Sequence, residues 1–308
     1  MGASRTRQWP VMQLLAGMRA LRSMTSVERE TSTARLAAGA VEYRLEGDGP
    51  QTVVIFHGGH LRAGLALGEE VFTASGYRVL IPSRPGYGRT PLATAPTAAA
   101  FADVTADLCR TLGIGQVAAV VGISAGGRTA VAMAARHRHL VDRVILQSAV
   151  GFGPWPDRRT RLAGRLVFNA RVEAVTWAAV RALMKAAPRA GLRLLLRDLS
   201  TRPVRRVMAG LSEHDQAELL ALFTLMRSGA GFVNDMLPVP DCAGQVTQPT
   251  LVIASRIDRS VPFSHAESLA ATIPRAELVE SRADGHMIWF APDYPAIIGK
   301  IKDFLATA

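Results

Sequence analysis

Seven short apolar runs, separated by stretches whose apolar residues recur at helical spacing, restrict this chain to one architectural class. The runs are VEYRL (41–45), TVVIFH (52–57), YRVLIP (77–82), VAAVVG (117–122), RVILQS (143–148), TLVIAS (250–255) and AELVES (276–281). Helical patterns fall near 64–75, 97–112, 125–138, 264–272 and 293–306. This alternation predicts an α/β fold with a mostly parallel central sheet and helices on both faces, because parallel neighbours need a crossover that returns the chain to the same end. In such sheets ligands collect at the carboxyl ends of the strands. A chain of 308 residues is long enough for one such core plus an insertion.

The alternation stops between residues 151 and 240, where the pattern is helical throughout. The proline-bearing segments GFGPWP and LPVPDC open and close it, so it reads as an inserted helical cap. The core is then split into 39–150 and 241–308, preceded by a basic extension over 1–38 with helical character. Arg19 and Arg22 closely follow a short apolar stretch in that extension, which fits an amphipathic helix better than a cleaved signal peptide. The cap holds fourteen Lys/Arg against seven Asp/Glu. Arg181, Lys185, Arg189, Arg193 and Arg197 recur every fourth residue; a solvated helix face interrupted at Pro188 and Gly191 is the favoured reading. The sharper one is a surface for anionic substrates or lipid headgroups, so peripheral membrane contact through the extension or the cap is one expectation. A net charge of +11 raises nucleic acid as a partner, but interleaved aromatics and zinc-ligand spacing are missing, and none is expected. No run reaches the ~20 apolar residues of a membrane span. Two cysteines are too few for a disulfide framework, and a cytoplasmic location is expected.

The chemistry is concentrated at Gly122-Ile123-Ser124-Ala125-Gly126, between a strand and an alanine-rich helix. A sharp strand-to-helix turn lifts the Ser124 hydroxyl clear of the sheet, and the glycines let strand and helix approach. A nucleophilic serine needs a base and a carboxylate to orient it. Asp258 follows the strand TLVIAS and His286 follows AELVES, so both are expected at strand carboxyl ends. Asp284 is a rival acid, more simply read as a turn residue, while His137, His139, His214 and His265 are expected to be exposed. The loop His57-Gly58-Gly59-His60 follows TVVIFH. The Gly59 and Ala125 N–H groups are expected to form an oxyanion hole, with His57 pinning the loop and His60 placed to touch substrate.

These residues, together with Arg84-Pro85-Gly86-Tyr87-Gly88 and Gly285-His286, resemble the α/β-hydrolase fold family, in its serine-nucleophile, esterase/lipase-like branch with a helical cap. The resemblance covers roughly 40–150 and 240–308. One departure is Ser83, where relatives often carry an acid; altered packing of that loop is the expected result. The resemblance implies a serine hydrolase that cleaves a carboxylic ester, thioester or lactone of a small acyl substrate through an acyl-enzyme, with no cofactor or metal. The alternatives are a carbon–carbon bond hydrolase or a cofactor-free haloperoxidase-like enzyme on the same triad, and a non-catalytic small-molecule-binding protein. Trp155 and Trp177 are candidate walls of the substrate site; Trp289 is a further candidate contact, with core packing beside the last helix the favoured reading. The oligomeric state is not legible.

Overall fold

A computed structural model describes residues 28–169 and 171–307. Its strands are β1 (Ser32–Leu36), β2 (Gly39–Glu46), β3 (Thr52–Phe56), β4 (Arg78–Pro82), β5 (Val117–Ile123), β6 (Val144–Gln147), β7 (Thr250–Ser255) and β8 (Ala276–Ser281). They form one sheet in the order β1-β2-β4-β3-β5-β6-β7-β8. All pairs from β4 to β8 are parallel, while β2 runs antiparallel to β4 and β1 antiparallel to β2.

Each of the seven apolar runs is a strand, and β1 is an eighth that the pattern did not reveal. Residues 32–36 thus belong to the sheet, not to an N-terminal extension reaching residue 38. β1 is an edge strand with no fully buried residue, so its sequence carries little apolar signal. It returns into β2 at Gly39, whose φ of +136° suits glycine. The amphipathic stretch before residue 28 lies outside the described residues.

β3 and β5 are buried along their whole lengths, which is why they are apolar at successive positions after Thr52 rather than at alternate ones. On one face Val54, Phe56, Val120 and Leu146 pack with Phe101 and Leu108 of α2 (Ala98–Thr111), Met133 of α3 (Gly127–Arg136) and Leu269 of α10 (Ser264–Thr272). On the other, Val53, Ile55, Val121 and Ile145 meet Phe72 of α1 (Glu70–Thr73) and Ile297, Ile301 and Leu305 of α11 (Tyr294–Ala306). α1 is much shorter than the predicted 64–75. Gly68 has a φ of +76°, and the Trp289 indole fills the space a Cβ would need there. The helix can start only beyond it.

Between β6 and β7 come α4 (Arg158–Val167), α5 (Glu173–Ala186), α6 (Pro188–Leu196), α7 (Val204–Gly210), α8 (Glu213–Leu225) and α9 (Gly231–Asp235). Asp157 caps α4 by accepting the Arg159 and Thr160 N–H groups, and Ser212 and Asp215 form a capping box on α8. Pro188 opens α6, so the arginine ladder from Arg181 to Arg197 is divided between two helices. No described helix is long and apolar enough to cross a membrane.

The turn from β5 into α3 presses on the end of β3. A Cβ on Gly126 would stand 2.7 Å from the His57 carbonyl oxygen and collide with that of Phe56; one on Gly122 would stand 2.7 Å from Gly127 Cα. Gly126→Ala is therefore expected to overpack this junction and lower stability by about 1–3 kcal/mol. Urea unfolding of the variant measures it.

Candidate active site

Ser124 ends β5 with a φ of +51°, a conformation that crowds Cβ against the backbone of any residue but glycine. Its carbonyl accepts the Val150 N–H at 2.8 Å. On its other side lies Gly58: a Cβ there would come within 2.8 Å of Ser124 Cβ and 3.4 Å of its Oγ. The Gly58–Gly59 loop and the serine turn thus touch through a missing side chain. Ala125 follows at the entry to α3, packed with Val150, Trp155, Met236 and Val261.

Asp258 and His286, 28 positions apart, meet at the ends of β7 and β8. Asp258 Oδ2 lies 2.6 Å from His286 Nδ1, and both residues are buried. A carboxylate only accepts, so Nδ1 carries the proton and Nε2 is left as an acceptor. The other Asp258 oxygen accepts the Val261 N–H at 2.8 Å. Asp284 is instead paired with Arg202 at 2.5 Å, away from the imidazole. The loop after β6 bonds to both sides of the site: Ser148, with a φ of +46°, donates its Oγ–H to the His286 carbonyl at 3.0 Å, and Val150 holds Ser124. Leu199, between α6 and α7, accepts the His286 N–H at 2.9 Å through its carbonyl. The expectation that His265 is exposed fails: it is buried, and its Nδ1 accepts the Gly151 N–H at 3.2 Å. Burial and nearby Arg128 push its pKa down.

Gly59 sits beneath an aromatic ring, since a Cβ there would touch Phe232 at 3.0 Å. His57, just before the glycines, is buried between β3 and the Arg44–Glu69 ion pair, and burial pushes its pKa down to about 4. Its carbonyl accepts Arg84 Nε–H at 2.7 Å. Arg84 also grips Asp235 of α9 through both terminal nitrogens, and the Tyr87 hydroxyl donates to the same carboxylate. Burial opposes the Arg84 charge, but Asp235 more than offsets this and holds its pKa above the ordinary arginine value. One ion pair therefore fastens the glycine loop to the last helix of the insertion. Ser83, where an acid was expected from the resemblance, donates to Glu42 Oε2 at 2.7 Å and accepts the Ala63 N–H at 2.8 Å. The loop thus has its carboxylate, brought from β2.

The tryptophans separate. Trp177 donates its indole N–H to Ser228 Oγ at 2.8 Å and stands edge-on to His60, ring centroids 5.2 Å apart. Phe168 and Phe232 complete a cage round the imidazole at 4.9 and 4.0 Å. Ser228 Oγ is also 2.9 Å from His60 Nδ1. An indole nitrogen only donates, so the Ser228 proton is left for His60 Nδ1, which puts the His60 proton on Nε2. Burial keeps this ring neutral, its pKa pushed down to about 3. Trp155 donates to the Ser260 carbonyl at 2.7 Å and packs on Ala125. Trp289 is not a wall of this site: it lies in the core beside α11 and donates to Gln147 Oε1 at 3.0 Å. Among the described residues no three His, Cys, Asp or Glu side chains are grouped to hold a metal. Ser148, Leu199, Ser228, Phe232 and Asp235 escaped the sequence reading, because none sits in a motif.

An acidic residue paired to histidine thus stands at the same carboxyl edge of a parallel sheet as a serine on a strained turn. The chain belongs to the α/β-hydrolase fold family. A family model described as alpha/beta hydrolase fold matches residues 51–167, and one described as TAP-like protein matches 233–308. The hydrolase YcgS of Bacillus subtilis is 30% identical over 273 residues, covering 87% of this chain and 95% of its own. A 2-hydroxy-6-oxononadienedioate/2-hydroxy-6-oxononatrienedioate hydrolase of a Pseudomonas species is 26% identical, covering 80% and 86%. A pimeloyl-[acyl-carrier protein] methyl ester esterase of Aromatoleum aromaticum is 30% identical, covering 72% and 88%. The solved α/β-hydrolase fold protein of Nakamurella multipartita superposes with a TM-score of 0.74 at 25% identity, covering 90% of this chain and 99% of that one.

Two stability effects are expected. Asp235→Ala leaves the Arg84 charge and the Tyr87 hydroxyl buried without their acceptor, and should cost about 3–5 kcal/mol in denaturant unfolding. His57 titrates near 4 when folded against 6.5 ordinarily. Between those values the unfolded chain binds a proton that the folded one refuses, so its contribution is complete above pH 6.5 and is lost as pH falls toward 4. The loss amounts to roughly 3 kcal/mol. His57→Gln should flatten the slope of stability against pH across that window.

Proposed function

We propose that the protein hydrolyses a carboxylic ester, thioester or lactone through an acyl-enzyme on Ser124. The observation that carries this reading is the 2.6 Å Asp258–His286 contact at the same sheet edge as the strained serine. His286 Nε2 takes the Ser124 proton as Oγ attacks the acyl carbon. The Gly59 and Ala125 N–H groups receive the oxyanion, and Asp258 stabilises the imidazolium. His286 then protonates the leaving alcohol, thiol or alkoxide. Water, deprotonated by the same nitrogen, releases the acid. The helical insertion acts as a cap, with Phe168, Trp177 and Phe232 as apolar walls and the His60 Nε2–H as a neutral donor to substrate.

A carbon–carbon bond hydrolase is the second reading, favoured by the dienedioate hydrolase among the relatives. Such a substrate carries carboxylates that need a cation. The arginines nearest the site are already engaged: Arg84 by Asp235, and Arg128 by the carbonyls of Gly151, Gly153, Asp235 and Leu237. That supports a neutral acyl substrate.

Ser124→Ala should lower turnover of p-nitrophenyl esters at least about a thousandfold and abolish labelling by a fluorophosphonate. Wild-type protein that neither labels nor turns over any acyl substrate would instead support a binding protein. Asp258→Asn should slow the reaction by about 10⁴ while Asp284→Asn leaves it near the wild-type rate; the reverse outcome would move the acid to Asp284. His60, its pKa pushed down to about 3 by burial, should add no step to the pH–rate profile in the neutral range. Turnover of dienol-keto acids without ester turnover would overturn the ester reading and leave the role of Ser124 intact.

A further inference from the structure

The insertion carries one surface that neither the sheet nor the active site uses. α4, RRTRLAGRLV, turns Gly164 inward, where a Cβ would stand 3.2 Å from the Met236 side chain and 3.5 Å from the Phe232 ring. At about 100° per residue, Arg158, Leu162, Arg165 and Leu166 share the opposite side. Leu162 and Leu166 are 64% and 66% exposed, and Val175 in the first turn of α5 is 69% exposed. Arg158, Arg159, Arg165 and Arg171 are exposed with them. The single acid between 158 and 175 is Glu173, which is buried and paired with Arg227 at 2.8 Å.

Leucine interleaved with arginine, and no exposed acid, is the composition of a helix that lies in a lipid–water interface. The guanidinium groups match phosphate oxygens, and the leucines enter the headgroup–acyl boundary. A second copy of the chain is a poor occupant, since a two-fold contact would set these arginines against one another. We propose that the outer face of α4, with the start of α5, docks on the surface of an anionic lipid bilayer. The docked face would stand directly above the site, because α4 rests on Phe232 and Phe232 covers Gly59. The inference concerns binding and holds whatever acyl group Ser124 accepts.

The test is sedimentation of the full chain with phosphatidylcholine vesicles, with and without phosphatidylglycerol. Binding is expected to the anionic vesicles only, and to weaken about tenfold on raising salt. The double variants Leu162→Asp/Leu166→Asp and Arg158→Glu/Arg165→Glu should each reduce it by about tenfold or more. Both should keep the wild-type melting temperature and the wild-type turnover of a soluble ester, since these side chains face water. Binding that survives in both variants would belong elsewhere on the chain and overturn the proposal. So would no binding to anionic vesicles, or a dimer seen by light scattering that Leu162→Asp/Leu166→Asp dissociates.

Discussion

The site depends on holding Ser124 in a backbone conformation that L-residues avoid, at a cost of about 1–3 kcal/mol. Packing on every side enforces it. β5 is buried throughout, Gly122 lets α3 close over the strand, Gly126 lets the end of β3 abut the turn, and the Val150 N–H fixes the serine carbonyl. A second left-handed residue, Ser148, stands at the end of the adjacent strand. Its N–H donates to Ile253 of β7 and its hydroxyl to the histidine loop beyond β8. Strain on two neighbouring strands is thus bound into one network with Ser124 and His286.

Charge is sorted by depth. The chain carries a net +11, yet its deepest arginines do not make the interior a cationic pocket. Arg44 is tied to Glu69, Glu46 and the Ala63 carbonyl, Arg84 to Asp235 and the His57 carbonyl, and Arg128 to backbone carbonyls alone. Each replaces lost hydration with fixed acceptors, as a buried cation requires. The excess positive charge is displayed on the outside of the helical insertion, and the cage around His60 is aromatic and neutral.

What could be read from sequence was what is local. Ser124, Asp258, His286 and Gly59 were visible because each lies within five residues of the end of an apolar run, so finding the strand places the residue near its carboxyl end. β1 was invisible because an edge strand with exposed side chains has no apolar signature, and the first helix was overextended because Trp289 comes from more than 200 residues away to press on Gly68. His265 looked like a helix surface residue until Gly151 was seen to need its ring nitrogen. Trp177 was a candidate wall, but the partners that place it and His60 were illegible for the same reason. The His60–Ser228 contact spans 168 positions and the Arg84–Asp235 pair spans 151, and no spacing rule reaches so far.

The carbonyl of Leu199 gives the insertion a part in more than shape. Because it receives the His286 N–H, and the neighbouring Thr201 N–H donates to Ile257 beside Asp258, the backbone between α6 and α7 is a splint for the loops after β7 and β8. A different set of helices grafted between β6 and β7 would keep Ser124 on its turn but lose that splint unless it offered a carbonyl at the same point. Exchange of whole insertions on this scaffold is therefore constrained at that peptide group and at the Asp235 carboxylate that holds Arg84. Changes confined to α4 leave both contacts untouched.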